Sequence, residues 1–257
     1  MQQRTLGRTG LKVGRIGIAA SYGVPAKAVE QSFERGVNYL YWGSFRRGAF
    51  GQALRNLKPR RDRMVLVLQS YSRVAALMRP SVEIALRRLG FEYTDVLLLG
   101  LWSDKPPERI LDASRRLRER GLIRHIAIST HHRPLVADLS ADPDVGIVHV
   151  RYNAAHPGAE REVFPLLAGK DNRPGVVAFT ATSWRQLLNP KRVPPGEQVP
   201  TATDCYRFVL SNQAVDVCMT GPANEAQAAE ALRAIELGPM SAEELAWMRR
   251  VGEFIHK

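Results

Sequence analysis

Cysteine is scarce in this sequence, with only Cys205 and Cys218 in a chain of 257 residues. Two thiols cannot form a disulfide framework, and they are too few for a structural zinc site or an iron–sulfur cluster. Long apolar runs are also missing, since no stretch approaches the 18 or so residues that a membrane-spanning helix requires. The N-terminal MQQRTLGRTG has no apolar signal core. We therefore expect a cytoplasmic protein with no membrane partner.

Acidic residues are outnumbered, because 25 Asp and Glu face 37 Lys and Arg, which gives a formal net charge of +12. A basic excess is one feature of nucleic-acid-binding proteins. Here, however, the basic residues are scattered over predicted helix ends and loops. The sequence shows no basic groove interleaved with aromatic residues and no DNA-reading motif. We expect a solvated, arginine-rich surface and no specific nucleic-acid partner.

Short apolar runs alternate with amphipathic stretches along the chain, which is 45% hydrophobic and 24% charged. This alternation is typical of parallel α/β folds. Strands are predicted at about 16–20, 37–42, 64–69, 94–101, 123–129, 147–150, 176–180 and 215–219. Helices are predicted at about 25–35, 81–89, 107–120, 225–236 and 242–254. Eight strand signals without a linker predict one domain, residues 1–257, folded as a (β/α)8 TIM barrel.

The stretch from Gly36 to Leu54, GVNYLYWGSFRRGAFGQAL, is the most informative part of the sequence. It resembles the segment of aldo/keto reductases that usually reads G-I-N-F-F-D-T-A-x-x-Y-G. Two more stretches resemble that family: SVEIALRRLGFEYTDVLLL, beside S-x-x-x-S-L-x-R-L-x-x-D-Y-I-D-L, and GLIRHIAIST, beside G-K-I-R-x-I-G-V-S-N. The resemblance extends from Arg4 to about Arg250. It implies the barrel fold, with residues Arg4 to Val13 as a β-hairpin across the N-terminal end.

The same resemblance indicates where the chain departs from the family's catalytic residues. In the family, a Tyr hydroxyl protonates the carbonyl oxygen, a Lys paired with an Asp lowers the pKa of that Tyr, and a His orients the carbonyl. The matching positions here are Tyr41 for Asp, Arg46 for Tyr, Gln69 for Lys and Gly100 for His. An arginine stays charged, with a pKa above about 12, and a glutamine carries no charge to stabilise a phenolate. We therefore predict that standard NADPH-dependent carbonyl reduction is absent.

Part of the family's cofactor-binding sequence is kept. By resemblance, Ser129 would hold the nicotinamide amide, Phe179 would stack on the nicotinamide ring, and His149 stands where the family usually has Gln. The segment GPANEAQAAEA resembles the phosphate-binding pattern G-x-S-x-x-x-[QR]-x-x-E-N, with matches at Gly221, Asn224, Gln227 and Glu230. A turn that enters a helix offers backbone N–H groups to phosphate. The sequence leaves open whether a dinucleotide is still bound and, if so, whether it is NADP or NAD.

Four of the six histidines follow or end the strands predicted at 123–129 and 147–150, namely His131, His132, His149 and His156. Imidazoles serve as general bases and metal ligands. No carboxylate accompanies them at a recognised ligand spacing, so no metal site is expected. On the same side of the predicted barrel, Arg46, Arg47 and Arg151 would offer forked donors to a carboxylate or phosphate.

Three hypotheses of function remain open. The first is a divergent barrel that binds a small anionic, aromatic ligand or a protein partner. Its pocket would have Arg46 at the rim, room left by Gly100, and walls formed by Tyr41, Trp42 and Trp102; alternatively, Tyr41 fills that space and leaves no pocket. The second is an NAD(P)-dependent oxidoreductase whose proton donor is Tyr41 or His149. The third is an enzyme of another class built on the histidines, so whether the chain is an enzyme stays open.

Overall fold

An antiparallel hairpin lies near the start of the chain in the computed structural model, which describes residues 3–43 and 45–256. Its strands are β1 (Arg4–Thr5) and β2 (Lys12–Val13), with Arg4 paired to Val13. Leu6 and Val13 are fully buried and belong to the apolar cluster inside the barrel. The hairpin therefore closes the N-terminal end of the barrel, as the sequence predicts.

Eight parallel strands form the closed wall of the barrel. Their bounds are β3 Ile16–Ala19, β4 Tyr39–Trp42, β5 Val65–Ser70, β6 Thr94–Leu99, β7 Ile123–Thr130, β8 Val145–Arg151, β9 Gly175–Phe179 and β10 Val217–Thr220. Neighbours in the wall are also neighbours in the sequence, and β10 returns to pair with β3. The predicted (β/α)8 barrel is confirmed.

Helices surround the strands: α1 Ala26–Glu34, α2 Gly48–Asn56, α3 Ala75–Leu89, α4 Glu108–Glu119, α5 Leu135–Ala141, α6 Ala159–Glu162, α7 Phe164–Leu167, α8 Ala202–Ser211, α9 Glu225–Leu237 and α10 Ala242–His256. The helix predicted from 81 begins six residues earlier and continues through Pro80, because Met78 and Val82 on either side are both buried against the core. None of the helices in the part of the chain that the structure describes is long and apolar enough to cross a membrane.

Strand alternation divides the core into an inner and an outer cluster. In β4, Tyr39 and Tyr41 contribute to the cluster inside the barrel, whereas Leu40 and Trp42 pack in the cluster between the wall and the helices. The same alternation places Gln69 on the inside, because Val65 and Val67 of β5 belong to the inner cluster. Which side chains can reach the barrel interior is therefore fixed by register.

The shortest strand pairing in the wall is the seam between β9 and β10, where only Val217–Val177 and Cys218–Ala178 are in register. The carboxylate of Asp216, just before β10, extends this seam. It accepts hydrogen bonds from the backbone N–H of Val176 at 2.9 Å and from both terminal nitrogens of Arg173 at 2.7 Å. Its side chain is 0% exposed and also pairs with Arg4 of the hairpin at 3.0 Å. One buried carboxylate thus joins β9, β10 and the N-terminal hairpin.

We expect Asp216→Ala to lower the free energy of unfolding by about 3–5 kcal/mol, because it leaves a largely buried guanidinium without its partner. Urea unfolding followed by circular dichroism measures this. The matched control is Glu236→Ala, which removes an exposed ion pair with Arg35 and should cost about 0–1 kcal/mol. Equal, small losses in both variants would contradict the role given to Asp216.

Candidate ligand site at the mouth of the barrel

The carboxyl ends of the eight strands form one end of the barrel, called the mouth here, which is where barrels carry their sites. Three of the positions matched to the family's catalytic residues meet there. The Tyr41 hydroxyl donates a short hydrogen bond to Oε1 of Gln69. A Cβ atom on Gly100 would overlap Nε2 of the same amide. The space that Gly100 was expected to leave open is therefore filled by the Gln69 side chain.

Tyr41 is held in its neutral form at this contact. Burial raises the pKa of its phenol above the ordinary value, and the neighbouring phenol of Tyr71 raises it further. Gln69 supplies an acceptor but no charge. The contact is a satisfied neutral hydrogen bond, and it lacks the cation that would bring a phenol's pKa down toward neutrality.

Arg46, the fourth matched position, does not join this contact. Its backbone has φ of 44° and its side chain is exposed, with Cδ 3.7 Å from the point where a Cβ on Gly23 would stand. In the ranges 3–43 and 45–256, its guanidinium forms no hydrogen bond or ion pair. Ser44, two residues before it, lies outside the described residues.

The expected aromatic walls are also different. Trp42 lies outside the barrel, with the Arg47 guanidinium 4.0 Å from its ring centre. Trp102 packs against the outer cluster, and one face of its ring is covered by Arg73 at 3.6 Å. The expectation of a pocket walled by Tyr41, Trp42 and Trp102 is therefore wrong, because alternation along β4 turns Trp42 away from the interior.

His149 lies below the mouth rather than in it. Its Nε2 is 2.8 Å from the Tyr39 hydroxyl, and both side chains are buried inside the barrel. Burial lowers the pKa of His149 to about 3 and raises that of Tyr39. A neutral, enclosed imidazole cannot deliver a proton to a ligand at the mouth, so His149 does not suit the role of proton donor.

A basic face occupies the other side of the mouth, at the ends of β7, β8 and β9. Arg151 lies opposite Phe179 in the strand register, and its Nε is buried without a hydrogen-bond partner. The His131 ring contacts the Phe179 ring edge-on at 5.3 Å, and its Nδ1 is also buried and unpartnered. Arg133 is paired with Glu162, whereas Arg151 has no ion pair within the described residues. This face therefore carries uncompensated positive charge.

The pKa values of nearby histidines reflect that charge. Burial lowers the pKa of His131, and the positive charge of Arg151 lowers it further. The pKa of His156 is lowered to about 4, mainly by burial and next by the positive charge of Arg151. His132 points elsewhere, with Nδ1 2.7 Å from the Ser103 carbonyl. No cluster of three or more metal-ligating side chains occurs among residues 3–43 and 45–256.

The segment matched to phosphate binding is folded onto itself. Asn224 accepts a hydrogen bond from the Gln227 N–H at 2.9 Å, and the Gln227 side chain accepts one from the Ala223 N–H at 2.8 Å. Glu230 accepts from the Ala202 N–H at 3.1 Å. The ring of Tyr22 lies so close to Gly221 that any Cβ there would overlap it. The N–H groups of Ala223 and Gln227 are therefore already bonded to side chains of the segment and are not free to bind a dinucleotide phosphate.

The two positions matched to the nicotinamide end lie at the mouth. Ser129 is buried at the end of β7, and its carbonyl accepts a hydrogen bond from the Trp102 N–H at 2.9 Å. Phe179 is half-buried at the end of β9 and packs against the inner cluster. The structure thus brings Ser129 and Phe179 to the mouth, while His149 lies deeper and is engaged with Tyr39.

A strained loop after β9 is a feature that sequence reasoning missed. Of five non-glycine residues with positive φ in the described chain, four lie here: Thr180, Ser183, Trp184 and Arg185, with φ of 58°, 49°, 51° and 68°. Such backbone is uncommon outside glycine and often marks functional segments. Trp184 and Arg185 help line a cavity of about 500 Å³. No glycine in the sequence signalled these turns.

Comparison with known proteins bears on this barrel. A family model described as the aldo/keto reductase family matches residues 27–198. L-galactose dehydrogenase of Arabidopsis thaliana is 28% identical over 224 residues, which cover 76% of this chain and 69% of that protein. The holo structure of aldo-keto reductase AKR11C1 from Bacillus halodurans has a TM-score of 0.80 at 23% identity, covering 98% of this chain and 96% of that one. Its apo form gives a TM-score of 0.79 at 24% identity.

His149 should make stability fall in mild acid. The unfolded chain protonates this imidazole near its ordinary pKa of 6.5, whereas the folded chain keeps it neutral down to about 3. The unfolded state thus binds more protons, and stability should drop by up to about 1.4 kcal/mol per pH unit as the pH falls below 6.5. Urea unfolding between about pH 6.5 and 4.5 should give a shallower slope for His149→Gln. The exposed His132→Gln serves as the control, and equal slopes in all three proteins would contradict this account.

Proposed function

The chain belongs to the aldo/keto reductase family, and we propose that it uses the family's barrel to bind a small organic anion at the mouth. In this proposal it does not reduce carbonyls through the family's tyrosine–lysine relay. Members of this family generally use NAD(P)H, and the curated relative matched here is named a dehydrogenase. The proposal for this chain rests on its own mouth residues.

The observation that carries the proposal is the hydrogen bond between Tyr41 and Gln69, with the amide lying over Gly100. A relay needs a phenol whose pKa is lowered by a neighbouring cation and a space beside it for the carbonyl. Here burial raises the pKa of Tyr41, the neighbouring group is neutral, and the space is filled. Arg46 cannot replace the tyrosine because its guanidinium stays protonated.

The basic face supports the second half of the proposal. Arg151 has a buried Nε without a partner, and a guanidinium binds a carboxylate through paired charged hydrogen bonds. The rings of Phe179 and His131 lie beside it and would cover the apolar body of the ligand. An anion here would also relieve the mutual repulsion of Arg151 and Arg133, which contributes to the lowered pKa of Arg151 after burial.

A second candidate function is an NAD(P)-dependent oxidoreductase with another proton donor. It is favoured by Ser129 and Phe179, which lie at the mouth where the family's nicotinamide contacts would be. Against it, the side chains of Asn224 and Gln227 in the phosphate segment accept hydrogen bonds from that segment's own backbone, and His149 is enclosed. Calorimetric titration with NADH and with NADPH separates the two candidates, because only the second candidate needs one of these cofactors to bind.

The purified protein should consume NADPH with an ordinary test aldehyde at no more than the background rate. General acid catalysis contributes about 10²–10⁴ in rate, and the group that supplies it is missing. The variant Tyr41→Phe should leave the residual rate unchanged, as should the control Tyr71→Phe. A rate that falls at least tenfold in Tyr41→Phe but not in Tyr71→Phe would identify Tyr41 as a proton donor and overturn the proposal.

Anion binding at the mouth should depend on Arg151. With naphthoate as the probe, calorimetry should show the affinity of Arg151→Ala reduced about 10–100-fold, which corresponds to loss of a charged hydrogen bond of about 1.5–3 kcal/mol. Arg46→Ala, with its exposed guanidinium, is the matched control and should bind within about twofold of the wild type. Binding should also tighten as the pH falls from 7 toward 5, because a bound anion favours protonation of His131. Unchanged affinity in Arg151→Ala rejects the mouth as the site.

A further inference from the structure

A second cavity lies on the outside of the barrel wall, between the wall and helices α2 and α3. Its volume is about 290 Å³, near the lower end of small-molecule sites. The strands supply Trp42 and Leu68, helix α3 supplies Val82 and Ile84, and Arg47 and Arg88 add the positive charge. None of the family-matched positions other than Gln69 lines it.

The two arginines line the same cavity without a counter-charge. The Arg47 guanidinium stacks on the Trp42 ring at 4.0 Å, and its Nη1 donates to the Gly43 carbonyl at 3.0 Å. Burial lowers the pKa of Arg47, and the positive charge of Arg88 lowers it further. Neither guanidinium pairs with a carboxylate anywhere in residues 3–43 and 45–256. On the same helix, by contrast, Arg79 is paired with Glu83 at 2.7 Å.

Apolar surface accompanies this charge. Ile84 is 53% exposed and lies on the cavity wall. Leu68 and Val82 are buried and form apolar wall deeper in. A purely inorganic anion would leave the apolar walls unused, and a neutral hydrocarbon would leave the two guanidinium groups in mutual repulsion.

We propose that this cavity binds a small carboxylate with an aromatic or branched aliphatic body, at a site separate from the mouth. The carboxylate lies between Arg47 and Arg88, where it accepts forked hydrogen bonds and offsets their repulsion. The apolar body lies against Ile84, Val82 and Leu68. The site depends on the outer surface of β4 and β5, and it does not require the mouth to bind anything.

The test uses Arg151→Ala protein in every arm, so that any binding at the mouth is weakened and is the same in every comparison. In calorimetry with naphthoate, adding Arg88→Ala should weaken the remaining binding at least tenfold. The matched control is Arg87→Ala, the adjacent exposed arginine outside the cavity lining, which should change affinity less than twofold. Ile84→Glu should also abolish binding, because it places a carboxylate beside the arginines while leaving both of them present.

Two further probes define the ligand class. Naphthalene methanol, the neutral analogue, should not bind, and inorganic phosphate should bind at least tenfold more weakly than naphthoate. Phosphate that binds as tightly as naphthoate would overturn the requirement for an apolar body. Equal naphthoate affinity in the Arg88→Ala and Arg87→Ala proteins would overturn the site itself. Because every comparison is made within the Arg151→Ala background, any contribution of the mouth is the same in each arm, and a difference between Arg88→Ala and Arg87→Ala reports on this cavity alone.

Discussion

A carboxylate without access to water joins two neighbouring strands where the barrel wall has its shortest pairing. Asp216 supplies acceptors to Val176 and Arg173 at the seam where β9 and β10 share few register pairs. Asp95 has a related position at the start of β6, where it accepts from the Leu66 N–H at 2.8 Å and pairs with Arg61 at 2.7 Å. Such buried polar groups stabilise only when fully satisfied. Both lie toward the amino ends of the strands, so these two buried carboxylates are remote from the mouth of the barrel.

The mouth is polar but uncharged on one side and positively charged on the other. The Tyr41–Gln69 contact is polar but uncharged, and it fills space that the family pattern would give to a histidine. Arg151 keeps an unpaired guanidinium beside Phe179 and His131. This asymmetry supports the proposal of a bound anion, since attraction requires only a fixed charge, whereas reduction requires a tuned proton donor and a hydride source.

The fold was predictable because every strand of the wall has its own apolar run, and several strands lie in stretches whose sequence resembles the motifs of the family. The alternation of side chains along β4 could also have placed Trp42 outside the barrel. The sequence expectation instead grouped Trp42 with Tyr41 and Trp102 as walls of one pocket. The helix at 202–211 has a readable start, since Thr201 and Asp204 form a capping box. Other features depend on three-dimensional packing. The Gln69 amide fills the space at Gly100 only through its side-chain conformation, and residues 180–185 adopt positive φ without a glycine to signal it.

The distance between the two buried carboxylates, Asp216 and Asp95, and the mouth has an evolutionary consequence. A barrel that depended on its catalytic residues for folding could lose them only at the risk of losing the fold. Here Tyr41, Arg46, Gln69 and Gly100 lie apart from the contacts of Asp216 and Asp95. A lineage could therefore change these positions without touching the contacts of Asp216 and Asp95. The order of the changes is constrained, however, because any side chain at position 100 would overlap the Gln69 amide in the place where it now lies.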